Sequence, residues 1–182
     1  MVLKVITFPV EFLRKKSLPV EEVNDEIKTL ISDMIDTLYY VKGYGLAAVQ
    51  VGKHLRILVL DEMNSQELRR PRVFINPEIV STKGEILSEE GCLSVPGEYA
   101  SVKRYAEITV KALNEKGEAI TVHATEQLAR ILQHEIDHLN GILFIDHLPP
   151  FKRDTLKKHI KRRIMSGDYV VCSELNNPVK KV

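Results

Sequence analysis

The sequence predicts an α+β fold in which antiparallel or mixed β-sheets pack around a central helix, with an N-terminal helix and a basic C-terminal helix. Two observations favour this class. Apolar residues recur at helical spacings in two separate segments, and short β-branched runs, including one hairpin, lie between those segments. A group of strands followed by a central and then a terminal helix is typical of an α+β arrangement.

The first helix is predicted over Val20–Val41, where one apolar stripe recurs every three or four positions. Gly43 and Gly45 are expected to end this helix. The predicted strands follow, at Leu55–Asp61, Arg72–Asn76, Ile108–Ala112 and Ala119–Ala124. The last two are joined by an Asn-Glu-Lys-Gly segment, which favours a hairpin turn.

The central helix is predicted to begin at Thr125 and to end at Leu139, before Asn140-Gly141. Residues 141–150 are predicted to be strand and turn, and a basic helix is predicted over Lys152–Met165. We expect one catalytic domain over residues 1–182, in which 166–182 form a C-terminal extension with a short strand and a frayed tail.

Composition narrows the classes of function. The formal net charge is only +1, so the chain as a whole is not expected to bind DNA. Its apolar runs are too short to cross a bilayer, and the N-terminus lacks the pattern of a signal peptide. We therefore expect a cytoplasmic protein without membrane contact. Its cysteines, Cys92 and Cys172, are expected to be thiols.

The pattern His-Glu-x-x-His occurs once, at residues 134–138, inside the central helix. Side chains four positions apart lie on one helical face, so His134 and His138 can bind one metal ion. Glu135 can then reach a water on that ion without binding the metal. Burying these polar groups in an apolar helix is costly unless something pairs them, which favours a catalytic metal site over chance.

The third metal ligand is not decided by spacing. Downstream, Asp146, His147 and His159 do not have the spacing that metallopeptidases of this type use. Upstream, Cys92 lies in the segment Glu-Gly-Cys-Leu-Ser between expected strands, where a thiolate could complete the set. The alternative for Cys92 is a small buried apolar residue.

Three segments together resemble the peptide deformylase family, whose motifs GxGLAAxQ, EGCLS and QHExDHLxG occur in that order. Here they are complete at residues 43–50, 90–94 and 133–141. The resemblance extends over nearly the whole chain. One departure is Tyr99, because many members have an arginine there, which puts the role of that arginine in gripping the substrate in doubt. Arg104 fits a later basic position of the family.

The resemblance implies a single divalent metal ion held by Cys92, His134 and His138. It implies removal of the N-formyl group from the formyl-methionine of nascent polypeptides, releasing formate. A metal-activated water attacks the formyl carbon, with Glu135 as general base and then acid. Iron(II) is the metal expected in the cell, while zinc, nickel or cobalt can occupy the site in purified protein.

The resemblance also implies how the substrate is held. Gln50 and the backbone N–H of Leu93 stabilise the oxyanion, and the Gly45 backbone helps to hold the substrate. The predicted substrate-binding residues are Gly43, Tyr44, Leu46 and Ile131. Of these, Tyr44 and Ile131 are expected to form walls of a methionine pocket, with ordinary core packing as the alternative. A cramped site beside Gly45 and Leu46 is expected to exclude longer acyl groups.

The basic helix and the metal motif each allow another interpretation. The basic helix Lys152–Arg163 is either a solvated face or a surface that contacts the ribosome. The alternative enzyme is a metallopeptidase of the His-Glu-x-x-His type, disfavoured because no downstream ligand is evident. A structural metal site in a nucleic-acid-binding module is disfavoured by Glu135, since such a site has no use for a buried carboxylate.

Overall fold

The computed structural model describes residues 1–63 and 68–172, and this part of the chain has the α+β architecture that the sequence predicts. Its α-helices are α1 (Asp25–Tyr40), α2 (Glu126–Leu139) and α3 (Pro150–Ser166). Its strands are β1 (Gly45–Ala47), β2 (Ile57–Leu60), β3 (Arg72–Lys83), β4 (Ile86–Cys92), β5 (Val95–Arg104), β6 (Glu107–Leu113) and β7 (Ala119–Thr125). Among the described residues, no helix is both long and apolar enough to span a bilayer.

The strands form two antiparallel sheets. Five strands pair in the order β1-β2-β3-β6-β7, and β4 pairs with β5 in a separate ribbon. Strand β2 is buried on both faces, because alternate side chains point to opposite sides. Leu58 and Leu60 belong to the cluster that includes the apolar face of α2, whereas Ile57 and Val59 belong to the cluster that includes α1. The two helices therefore cover opposite faces of the larger sheet.

The first helix is shorter than predicted. It begins at Asp25 because the Asn24 side chain accepts a hydrogen bond from the Ile27 N–H at 3.0 Å and caps the helix. Residues 20–24 are irregular. The prediction that Gly45 ends this helix was wrong: α1 ends at Tyr40, and Gly45 is the first residue of β1.

Two predictions about the strands also needed correction. Strand β3 continues past Pro77, because its pairing with β6 shifts register between Ile75 and Glu78 and so accommodates a residue without an N–H. The β4–β5 ribbon lies where no full strands were predicted. Residues 90–94 were expected to lie between strands, but residues 90–92 form the end of β4 and only Leu93 and Ser94 separate it from β5. The ribbon contains glycine and charged residues, which weaken the sequence pattern that predicts a strand.

The central helix α2 confirms its prediction almost residue for residue, and Gly141 follows it with φ +75°. A Cβ on Gly141 would lie 2.7 Å from the carbonyl carbon of Arg14, so only glycine fits there. Residues 141–150 are not a strand. Phe144–His147 form a 3₁₀ helix instead, because the Asp146 carboxylate accepts a hydrogen bond from the Leu143 N–H at 2.8 Å.

The basic helix is confirmed as α3, which joins the β4–β5 ribbon in a third apolar cluster. That cluster contains Val95 and Val102 of β5, Phe144, Ile160 of α3 and Tyr169. Residues 167–172 form no strand, and the rest of the C-terminal extension, in which a short strand was also expected, lies outside the described residues. The expected frayed tail lies outside the described residues, which end at 172.

Candidate active site

Helix α2 brings three polar side chains into the core on neighbouring positions. His134, Glu135 and His138 are all buried although apolar residues surround them. The two imidazoles are one turn apart, with ring centroids separated by 5.0 Å. As predicted, the helical repeat aims both histidines at one point.

Cys92, the last residue of β4, meets these histidines. Its Sγ lies 3.2 Å from Nε2 of His138, and the ligand atoms of Cys92, His134 and His138 all lie within 4.8 Å of one another. The structure thus brings together the three residues that the family resemblance implied. Asp146 instead pairs with Arg14, and His147 lies 2.7 Å from Asp137.

A buried chain of charged groups orients the first histidine. Nδ1 of His134 lies 2.9 Å from Glu90, whose carboxylate accepts hydrogen bonds of 2.7 and 2.9 Å from Arg104. Arg104 also donates to Asp137 at 2.5 Å. Burial favours a raised pKa for Glu90, but the hydrogen bonds from Arg104 and His134 outweigh it and lower the pKa to about 2. An ionised Glu90 fixes the ring so that Nε2 of His134 is left for a metal.

The sequence predicted only part of this row of charged groups. Glu90 contacts both His134 and Arg104. Sequence reasoning missed Asp137 and His147. Asp137 lies between the two histidines in the motif, but spacing does not reveal that it faces Arg104 rather than the metal ligands.

Glu135 is buried beside the histidines, and burial raises its pKa to about 7. Its Oε2 is buried without a hydrogen-bond partner among the residues that the structure describes. The carboxylate presses against the backbone of Gly45, where an added Cβ would lie 2.8 Å from Cδ and Cγ of Glu135. A buried carboxylate oxygen without a partner is costly, which points to a group that binds there in use.

Gln50 approaches the same site from the 3₁₀ helix that follows β1. Its Oε1 accepts a hydrogen bond from the Ala47 N–H at 2.8 Å, which fixes the orientation of the amide. The amide nitrogen then faces the cysteine, 3.7 Å from Cys92 Sγ and 3.1 Å from Ser94 Oγ. Gln50 therefore presents a donor next to the three ligand atoms.

A cavity of about 530 Å³ opens over these groups. Its wall includes most of the predicted residues: Gly43, Tyr44, Gly45, Gln50, Leu93 and Ile131. Leu46 is placed differently from the prediction, because its side chain is fully buried in the cluster under α1 rather than in the cavity wall. On strand β1, successive side chains point to opposite faces, so Leu46 turns away from the site that Gly45 borders.

Several wall residues were not predicted, among them Lys42, Glu89, Glu98 and Arg130. Glu89 and Glu98 belong to the β4–β5 ribbon, and their order in the sequence does not show which side of the ribbon faces the cavity. Tyr99, the departure from the family pattern noted in the sequence, also lines the wall. It pairs with Gly91 across the ribbon, and a Cβ on Gly91 would lie 2.6 Å from its ring.

The donor set fits a divalent transition metal. One sulfur and two imidazole nitrogens suit zinc or ferrous iron, and three protein ligands leave a position open, as catalytic sites require. A second observation is the buried Oε2 of Glu135, which has no hydrogen-bond partner in the described part of the chain, since a structural site does not place a buried carboxylate beside its ligands.

Comparison with known proteins decides the family. The family model described as polypeptide deformylase matches residues 2–154. The chain belongs to the polypeptide deformylase family. Peptide deformylase 1 of Shewanella oneidensis is 49% identical over 160 residues, which cover 88% of this chain and 94% of that protein. The prediction of a peptide deformylase is thereby confirmed, and the metallopeptidase alternative is not supported.

Solved deformylases have the same fold. The crystal structure of a peptide deformylase from Legionella pneumophila is 43% identical, has a TM-score of 0.86, and covers 93% of this chain and 99% of its own. That of the Ehrlichia chaffeensis enzyme in complex with actinonin is 41% identical with a TM-score of 0.82, covering 89% of this chain and 97% of its own. Both match the α+β fold predicted from the sequence.

Proposed function

We propose that this chain removes the formyl group from the N-terminal formyl-methionine of nascent polypeptides and releases formate, using Glu135 as general base and then general acid. The observation that carries the proposal is the buried Oε2 of Glu135, which has no hydrogen-bond partner within residues 1–63 and 68–172 and lies beside the Cys92, His134 and His138 atoms. A divalent cation on those three residues supplies Lewis acidity, which makes a water more acidic and polarises a carbonyl.

Glu135 handles the protons of the reaction. Its carboxylate accepts a proton from the attacking water and then delivers it to the departing amine, so that a neutral leaving group forms. The residue is suited to both steps because burial excludes competing water and Gly45 on one side confines the carboxylate. The His134–Glu90–Arg104 hydrogen bonds keep the adjacent ring from rotating.

The negative charge that develops on the formyl oxygen needs donors. We propose the Gln50 amide and the Leu93 backbone N–H, because both border the cavity next to Cys92. The Ala47 hydrogen bond holds the Gln50 amide before substrate arrives, so little reorganisation is required. One such donor typically contributes roughly 100- to 1000-fold in rate.

The substrate is proposed to lie in the 530 Å³ cavity. Tyr44 and Ile131 are proposed as walls for the methionine side chain, and both line this cavity. Gly43 and Gly45 border the cavity, and their backbone is proposed to hold the substrate. We assign the exclusion of longer acyl groups to the narrow space between Gly45 and Glu135, rather than to the Leu46 side chain.

Iron(II) is proposed as the metal in the cell, with zinc, nickel and cobalt able to occupy the site in purified protein. The thiolate ligand Cys92 makes an iron form prone to oxidation. Anaerobic purification is therefore expected to give higher specific activity than aerobic purification. Equal activity from both preparations would count against iron.

The ribosome is proposed as a partner through the basic helix α3. The helix carries seven lysine and arginine residues over 152–163, and apart from Ile160 its surface is largely open. Contact with ribosomal RNA should weaken steeply as salt rises, so co-sedimentation with ribosomes should fall between low and high salt. Co-sedimentation that does not change with salt would contradict ribosome binding through α3. A cytoplasmic location is part of the same proposal.

A formyl-peptide assay tests the function directly. Protein loaded with a defined metal is given formyl-Met-Ala-Ser and, separately, the same peptide without the formyl group. Formate release from the first and no cleavage of the second are expected. Cleavage of an internal peptide bond without formate would overturn the proposal.

A further inference from the structure

We propose that Arg163, on the last turn of α3, is a positioning residue that sets the shape of the substrate cavity by clamping the beginning of β5, Pro96–Glu98. This proposal rests on the proposed function for its kinetic readout. Neither the metal ligands nor Glu135 determine the position of this part of the cavity wall.

The clamp consists of direct hydrogen bonds. Nη1 of Arg163 donates to the Pro96 carbonyl at 3.1 Å and to Oε1 of Glu98 at 2.6 Å. Pro96, Gly97 and Glu98 all line the cavity over the metal ligands. An arginine from the C-terminal helix therefore contacts two residues of one cavity wall, Pro96 and Glu98.

Gly97 fits this clamp in two ways. Its φ is +77°, a conformation that side-chain-bearing residues rarely adopt. A Cβ at this position would also lie 3.1 Å from both terminal nitrogens of Arg163, which is tighter than ordinary packing. The glycine allows the guanidinium to lie against the backbone of the wall, so the two residues depend on each other.

Two further contacts hold the guanidinium of Arg163 in place. Its carbon lies 5.4 Å from the centroid of the Tyr169 ring, a cation–π distance, and Nη2 donates to the Asp168 carbonyl at 3.3 Å. Tyr169 is buried, and its hydroxyl lies 3.5 Å from the carbonyl of Ser94, just before β5. The end of α3 and residues 168–169 thus hold the start of β5 in position.

The reacting groups have other supports. Cys92, His134 and Glu135 are positioned by β4, α2 and the Glu90–Arg104 pair, none of which involves Arg163. Losing the clamp should therefore loosen the binding of substrate without displacing the catalytic groups. A change that removes binding equally from the ground and transition states raises KM and leaves kcat unchanged.

The test compares Arg163→Met with Arg163→Lys and with the matched control Arg72→Met. Arg72 is also half-buried and also pairs with a carboxylate, Glu62, at 3.3 Å, but it does not line the cavity. With formyl-Met-Ala-Ser, Arg163→Met should raise KM on the order of tenfold, since charged hydrogen bonds are involved. The kcat should stay within about twofold. Arg163→Lys should recover part of the loss, and Arg72→Met should leave KM unchanged.

A second measurement does not depend on activity. Hydrogen exchange of the backbone amides over residues 97–100 should speed up in Arg163→Met but not in Arg72→Met. If the wild type releases no formate while this difference is present, the function fails and the clamp stands. If Arg163→Met does not fold, Glu98→Gln removes the other half of the ion pair and should raise KM in the same direction.

Three results would overturn the proposal. The first is a folded Arg163→Met protein with normal KM and normal exchange at 97–100. The second is an equal rise in KM in Arg72→Met, which would indicate general destabilisation. The third is a loss confined to kcat, which would place Arg163 in the chemistry rather than in the cavity wall.

Discussion

The carboxylate of Glu135 lies against the backbone of Gly45 so closely that a Cβ on Gly45 would come within 2.8 Å of Cδ and Cγ of Glu135. The two residues belong to different elements, β1 and α2, and meet at the floor of the cavity. Glycine at position 45 is therefore required by the position of the Glu135 carboxylate.

Gly45→Ala should reduce kcat on the order of 100-fold. The added methyl group should displace the Glu135 carboxylate from the position in which it can accept a proton from the attacking water. Metal content should not change, since the ligands are elsewhere. Steady-state kinetics and metal analysis on the same sample check this. Gly43→Ala is the comparison: its Cβ meets the flexible end of Leu93 at 3.0 Å, so its loss should be much smaller. Equal losses would contradict the prediction.

Glu90→Gln should weaken metal binding by roughly 10- to 100-fold, because it weakens the hydrogen bond that orients His134 and removes one of the two carboxylates that pair with Arg104. Competition with a chromophoric chelator measures the affinity. Glu85→Gln serves as the control, since Glu85 is exposed and pairs only with Lys103 among the ion pairs described. Unchanged affinity in Glu90→Gln would show that the ring is fixed without the carboxylate.

Gln50→Glu should lower kcat by roughly 100- to 1000-fold, because it removes the amide donor proposed for the oxyanion. The replacement keeps an oxygen that can accept the hydrogen bond from the Ala47 N–H, so the local backbone should be preserved. Gln127→Glu, on an exposed position of α2, controls for the added charge. Activity near the wild-type level in Gln50→Glu would remove Gln50 from the mechanism.

The sequence predicted the metal site well because its chemistry is local. His134 and His138 lie one helical turn apart whatever surrounds them, and Glu135 lies between them. Cys92 could not be assigned from spacing alone, because its distance from the histidines depends on how the β4–β5 ribbon packs on α2. The family resemblance supplied that residue, and the 3.2 Å distance to His138 supports it.

Other parts of the site could not be predicted because they depend on strand phase and long-range packing. Leu46 points into the core since β1 alternates its faces, and the start of a three-residue strand is not visible in the sequence. The contact of Arg163 with Glu98 joins residues 65 positions apart. The 3₁₀ helix at Phe144–His147 was missed because a single Asp146 hydrogen bond replaces the strand that the apolar run suggested.

Glu135→Gln tests the central claim most directly. The amide keeps the shape of the side chain but cannot take up or return a proton. Wild-type and Glu135→Gln proteins are loaded with the same metal, and formate release from formyl-Met-Ala-Ser is measured together with metal content. We expect the variant to retain one metal ion per chain and to lose at least about 100-fold in kcat. Near-normal formate release by the metal-loaded variant would contradict the assignment of Glu135 as the residue that carries the proton.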